Sequence, residues 1–374
     1  MAGIYIHIPF CRKACHYCNF HFTTSRNYQD RMVEAILSEI KERADYLGDT
    51  SIQSIYFGGG TPSLLTGEQI DSIFKVIDEN WKILSDAEIT LEANPDDLSI
   101  EFLSMLRNTP VNRLSIGIQS FHDKELEWMN RAHNAAQALG AIALAKSYGF
   151  EKLTADLIYG LPGQTMKDWE ENIQTMLGTG IGHISAYALT VEPRTALGNW
   201  VKKGKVVIPA DDQVREQFDL LIDELIAAGL DQYEISNFAR TGEEAVHNAN
   251  YWRGLPYLGI GPSAHSYNVE EREWNEAHNI HYMEGIERGE RPFEKEVLSV
   301  QDKYNELVMT RLRTRWGVKK LELLALGEQW LEHFLEHAPA AEEKGWINRG
   351  HDTFTLTPEG KHWADQVAAT FFAE

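Results

Sequence analysis

The sequence predicts an α/β fold, with a partial (β/α)6 barrel over residues 1–295 and a mainly helical, winged-helix-like domain over residues 296–374. Three observations lead there. From residue 4 to residue 189, six short β-rich runs alternate with helical patterns, as parallel strands joined by crossover helices do. The remainder offers no clear pair of further strand-helix units to close an eightfold barrel, so the barrel is expected to be open. Beyond residue 295 the pattern changes to helices around a single β-hairpin. With 374 residues, 43% of them hydrophobic, the chain can bury a sizeable core.

The six strands are read at Ile4–Pro9, Ile52–Phe57, Glu88–Ala93, Arg113–Gln119, Leu153–Tyr159 and His183–Leu189. The first helix between them follows from Met32, Ile36, Ile40 and Leu47, which recur near helical spacing, and Gly48 supplies a left-handed stop. Gly67–Trp81 and Asp211–Ala228 read as helices by the same logic. Asn199–Asp212 reads as a basic loop containing glycine and proline, and Gln232–Phe238 as one further strand. Past residue 295, helices are expected at Val300–Leu312, Lys319–Leu326 and Gln329–His337. A hairpin over Trp346–Leu356 turns near Arg349-Gly350, and a last helix follows Pro358. Helices around a hairpin resemble a winged helix, but fold alone licenses no DNA binding.

Charge argues the same way. The chain carries 35 Lys and Arg against 56 Asp and Glu, a formal charge of −21, and such a surface repels phosphate backbones. Nucleic acid is excluded as a partner. No apolar run is long enough to span a bilayer, and the opening MAGIYIHIPF lacks the basic region and long apolar core of a signal peptide. A cytoplasmic protein with at most transient membrane association is expected.

The three cysteines, Cys11, Cys15 and Cys18, fall within eight residues. An odd, clustered set is not a disulfide framework; it points to metal ligation in a reducing compartment. The loop Cys11-Arg12-Lys13-Ala14-Cys15-His16-Tyr17-Cys18 follows the first strand directly, which puts it at the mouth of the barrel. Three thiolates hold three irons of a cubane and leave the fourth open to an outside ligand. A zinc site with His7, His16 or His21 as fourth ligand is the competing reading. C-x-x-x-C-x-x-C with an aromatic before the third cysteine resembles the signature of the radical S-adenosylmethionine (SAM) superfamily. The resemblance implies a [4Fe-4S] cluster on these cysteines, with SAM chelating the open iron.

Further segments support that resemblance. Gly58-Gly59-Gly60-Thr61-Pro62 ends the second strand, where glycines let a ligand approach the backbone. Glu92 ends the third strand, Gln119 the fourth, Asp156 lies in the fifth and Arg131 lies between the fourth and fifth. The resemblance extends over nearly the whole chain to the branch containing the oxygen-independent coproporphyrinogen III dehydrogenase HemN and the heme chaperone HemW. It implies that Tyr5, Tyr17, Gly59, Gly60, Thr61, Glu92, Gln119, Arg131, Asp156 and Ala188 contact SAM.

Two features separate the branch members. Where the dehydrogenase carries a further cysteine two residues after the third, this chain has Phe20, as the chaperones do. His247-Asn248-Ala249-Asn250-Tyr251-Trp252 resembles the chaperones' H-N-x-x-Y-W element, attributed to heme handling. Its imidazole is a competent heme ligand, its aromatics are suited to lie against a macrocycle, and His265 is a second candidate. The short lead-in before the cysteine strand also favours the chaperones. The expectation is a protein that binds cluster, SAM and heme and passes heme to apo-hemoprotein acceptors; the alternative is radical oxidative decarboxylation of coproporphyrinogen III.

Overall fold

Along each of the first six strands, apolar and polar side chains alternate, so one face of the sheet can join a core and the other cannot. A computed structural model describes all 374 residues. In it β1 (Ala2–Ile8), β2 (Ile52–Gly59), β3 (Ile83–Ala93), β4 (Arg113–Gln119), β5 (Lys152–Tyr159) and β6 (His183–Ala188) lie side by side in that order, all parallel. The expected open (β/α)6 barrel is present. Ile4, Ile6 and Ile8 of β1, with Ile55 and Phe57 of β2, face outward into one continuous apolar cluster with the crossover helices. Met32, Ile36 and Ile40 of the helix Gln29–Glu42 close it from outside. The next helix, Gly67–Asn80, starts at a capping box in which Thr66 and Gln69 satisfy each other's backbone N–H groups.

The sheet does not stop at six strands. β9 (Tyr257–Ile260) pairs parallel with β1, and β10 (His265–Tyr267), β11 (Glu271–Asn275) and β12 (Phe293–Val297) continue antiparallel beyond it. On the other side β7 (Asp231–Glu234) and β8 (Asn237–Ala239) form a hairpin that pairs with β6 through β8, giving twelve strands in one open sheet. The single strand expected over Gln232–Phe238 is therefore a hairpin. The Glu234 carboxylate accepts from the Ser236 N–H at 3.1 Å and from the Asn237 amide, which folds the chain back between them. The loop expected over Asn199–Asp212 is also corrected at its start: the helix Ala196–Lys202 runs into it, capped by Thr195, whose side chain accepts from Gly198.

The C-terminal part has its own apolar cluster, built on Tyr304, Phe334, Phe354 and Phe371. The helix expected over Gln329–His337 extends to Glu328–Glu343 and accommodates Pro339. The expected hairpin is β14 (Ile347–Arg349) with β15 (Thr353–Leu356), to which β13 (Val318–Lys319) adds a third strand. No helix is long and apolar enough to cross a membrane.

A buried ionic knot ties the β9–β12 extension to the barrel. Glu39, fully buried, accepts from the Gly261 N–H at 2.8 Å, Asn275 at 2.8 Å and the Tyr282 hydroxyl at 2.6 Å. Arg43 bonds the Gly259 carbonyl at 2.8 Å and Glu273 at 2.9 Å. Removing one member strands the others without water. Glu39→Ala is expected to cost about 3 kcal/mol in urea denaturation; a loss below about 1 kcal/mol would mean that the knot is not what fixes this extension.

Candidate metal centre

The polar inward face of the sheet surrounds a cavity of about 660 Å³ at the C-terminal ends of the strands. The cysteine loop crosses its mouth. Paired N–H donations, Cys11 to the Thr23 carbonyl at 2.9 Å and Thr23 to the Pro9 carbonyl at 2.8 Å, close the base of the loop. Asn130 donates to the Ala14 carbonyl at 2.8 Å, the His16 N–H to Met129 at 3.2 Å, and the Leu197 N–H to His16 at 2.9 Å, so neighbouring segments pin the middle. All three cysteines are free thiols, half-buried and lining the same cavity.

Their surroundings suit thiolates on a cluster. The Thr61 hydroxyl donates to Cys11 Sγ at 3.5 Å and the Arg131 guanidinium to Cys15 Sγ at 3.4 Å. Burial pushes the Cys11 thiol up to about 11 and raises that of Cys18, so a metal must displace these protons on binding. Ligands of one zinc ion would sit about 3.8 Å apart, from Zn–S bonds of about 2.3 Å in a tetrahedron. The three sulfurs do not all lie within 4.8 Å of one another, so they are not drawn together as ligands of one zinc ion would be. Of the histidines in the zinc reading, His7 has both ring nitrogens bonded, while His16 and His21 each have one. His7 bonds the His21 carbonyl at 2.8 Å and Tyr5 at 3.1 Å, His21 bonds Asn279 at 2.6 Å, and His16 bonds the Trp128 carbonyl at 2.7 Å.

Beside the loop, β2 ends in glycines on which neighbouring segments of the chain pack directly. Gly59 has φ +103°, and a Cβ there would lie 2.5 Å from the His7 ring. One at Gly60 would lie 2.6–2.8 Å from the backbone of Ile8 and Phe10. The Gly59 N–H donates to one oxygen of Glu92 at 3.2 Å and the Tyr56 hydroxyl to the other at 2.7 Å. Arg131 donates to the Gly117 carbonyl at 2.7 Å and to Asn94 at 2.5 Å, besides Cys15. Gln119 is held in the left-handed region at φ 69°. Tyr17 packs against the small apolar cluster of Leu126, Met129, Ile158 and Leu161, while Ala188 is exposed at the rim. Every SAM-contact residue expected from the sequence, together with the three cysteines and His247, lines this cavity. Sequence reasoning missed Tyr56 and Asn94. Alternation of Ser54, Tyr56 and Gly58 on one strand face was the available signal for the first, and Asn94's place just past the end of β3 for the second.

His247 opens the short helix Val246–Trp252. Both oxygens of buried Glu88 accept from that helix, from the Val246 and His247 N–H groups at 3.0 Å each. Its Nδ1 bonds Ser54 Oγ at 2.9 Å and its ring stacks on Tyr56 with centroids 5.2 Å apart. Burial lowers its pKa to about 4, so the imidazole is neutral at pH 7. The same residue lines a second hollow of about 470 Å³, with His7, His21 and the exposed His265. Tyr251 lines both cavities, but Trp252 of the same element lines neither and lies by Arg313.

Burial is also the main cause that raises Glu92 and Asp156 to about 7 each, and the Glu92 charge adds to the second. An acid whose folded pKa lies above its unfolded value holds protons more tightly when folded, so stability falls as pH rises through the window from about 4 to 7. Asp156→Asn removes one such group. In the cofactor-free protein the variant is expected to melt with the wild type at pH 4 and above it at pH 8; equal melting at both values would contradict the burial argument.

The chain is similar to known proteins along nearly its whole length. The model for the radical SAM superfamily matches residues 5–176, and that for the HemN C-terminal domain matches residues 298–363. The chain is 36% identical to the heme chaperone HemW of Bacillus subtilis, with all of both chains covered. It is 34% identical to the heme chaperone HemW of Mycobacterium tuberculosis, over 98% of this chain and 94% of that one. The solved structure of coproporphyrinogen III oxidase (HemN) from Escherichia coli, described as a radical SAM enzyme, superposes with a TM-score of 0.84. It is 23% identical, covers 99% of this chain and 89% of that one, and shows the shared fold. The chain belongs to the radical SAM superfamily, in its HemN/HemW branch, among relatives named heme chaperone HemW.

Proposed function

We propose that the chain carries a [4Fe-4S] cluster on Cys11, Cys15 and Cys18, binds SAM in the larger cavity, and binds heme at His247 for delivery to acceptor hemoproteins. When bound, such a cluster supplies an electron to SAM chelated at its open iron. The chain's own residues do the holding. Thr61 and Arg131 stabilise two of the thiolates, and Gly59 and Gly60 line the cavity where the family's glycine segment would meet the amino end of SAM. Glu92 has no cation against it and Asp156 feels only the Arg131 charge, which burial outweighs, so an ammonium group or ribose hydroxyls would find ready acceptors. Tyr5, Tyr17, Gln119 and Ala188 complete the wall.

One observation carries the heme reading: His247 is a neutral imidazole whose Nδ1 is already taken by Ser54, which keeps Nε2 for an iron. It is fixed from behind by Glu88 and faces a hollow with three further histidines. His265, on the same hollow, is the second candidate ligand. Names of the full-length relatives favour the same output. The protein thus acts as a donor of heme rather than as an oxidase of its precursor, within a cytoplasmic setting and in contact with an apo-hemoprotein.

The test is a heme titration of the anaerobically reconstituted protein, read from the Soret band. Wild type is expected to give a saturable spectral shift, and His247→Ala to bind at least about tenfold more weakly, the loss of one axial ligand bond. Loaded protein should restore heme to an apo-acceptor. Unchanged binding by the variant, or robust conversion of coproporphyrinogen III to protoporphyrinogen, would contradict the reading.

A further inference from the structure

The two cavities share a wall. Glu92, Tyr5 and His247 line both, and Tyr56 stands between the carboxylate and the imidazole. Its hydroxyl donates to Glu92 at 2.7 Å, and its ring lies on His247 with centroids 5.2 Å apart and planes 29° apart. Glu92 in turn holds the Gly59 N–H at 3.2 Å, within the glycine segment of the larger cavity. An unbroken line of contacts therefore runs from the Gly59 backbone, through one carboxylate and one phenol, to the His247 imidazole. The phenol has no other hydrogen-bond partner to fall back on.

We propose that Tyr56 couples the two cavities, so that a ligand engaging Glu92 in the larger one tightens heme binding at His247 in the smaller one. This rests on the heme reading above. A cationic or hydroxyl-bearing ligand beside Glu92 favours its ionised form, and a carboxylate is a stronger acceptor for the phenol than a carboxylic acid. The stronger bond fixes the Tyr56 ring, and the ring limits the positions open to the imidazole stacked on it. Less ordering is then left for heme to impose, which appears as affinity. Linkage makes the effect reciprocal: heme must tighten SAM by the same factor. Tyr56 is a positioning residue, since it acts through His247.

The experiment is a Soret titration of cluster-reconstituted protein with heme, with and without saturating SAM, paired with calorimetric titration of SAM with and without heme. In wild type, heme is expected to bind about fivefold or more tightly when SAM is present, with a matching factor in the converse titration. Tyr56→Phe keeps the ring and loses the hydroxyl, and the ratio is expected to fall to about one, with circular dichroism reporting its folding. A wild-type ratio of one, by either titration, overturns the coupling while leaving heme binding intact; so does a ratio in Tyr56→Phe equal to that of wild type. Failure of heme to bind at all, or binding indifferent to His247→Ala, overturns the heme reading and the coupling with it.

Discussion

The architecture depends on a mismatch between the two faces of β1–β6. Outward, isoleucine, leucine and phenylalanine pack against crossover helices as any parallel sheet does. Inward, the positions that would meet at the barrel axis are Tyr5, Tyr56, Thr90, Glu92, Ser115, Asp156 and Ser185, which cannot form an apolar core. The sheet therefore curves around a space and leaves it open, and flanking strands extend it at both ends in place of closure. A ligand-sized volume is the direct result of strand alternation.

Desolvation then sets the chemistry of that space. Burial pushes thiols and carboxylates toward their neutral forms and histidines away from protonation, so the groups around the cavities are held away from their charged states. Cationic metal, sulfonium and ammonium groups reverse the bias for the acids. A neutral His247 keeps a ring nitrogen free of a proton. The same dry environment makes the few direct contacts strong: Thr61 and Arg131 on sulfur, Glu92 on Gly59 and Tyr56, Glu88 on the backbone of His247. These bonds link strand ends that lie far apart in sequence.

Much of this was legible in the chain and some was not. Strands β1 to β6 were readable because each is a short β-rich run followed by a helical pattern, and the cysteine loop because its spacing is unusual. Glu92, Gln119 and Asp156 stood out as polar groups at or near the C-terminal ends of strands. The β9–β12 extension escaped, since its register is fixed by contacts over long separations, such as Glu39 to Gly261 and Arg43 to Glu273. The β7–β8 hairpin escaped because the turn depends on one carboxylate, Glu234, closing on Ser236. Tyr56 was overlooked because a tyrosine in a strand ordinarily means packing. Its position between Glu92 and His247 follows only from the pairing of β2 with β3 and the docking of the Val246–Trp252 helix.

All of these features surround a loop of three thiols that, on the proposed reading, would leave one corner of an iron cluster for an outside ligand. Electron paramagnetic resonance of the anaerobically reconstituted, reduced protein, recorded before and after adding SAM, tests that most directly. The account requires a [4Fe-4S] signal whose g-values shift on SAM addition. Bound zinc in place of the cluster, or a cluster signal unmoved by SAM, would contradict it.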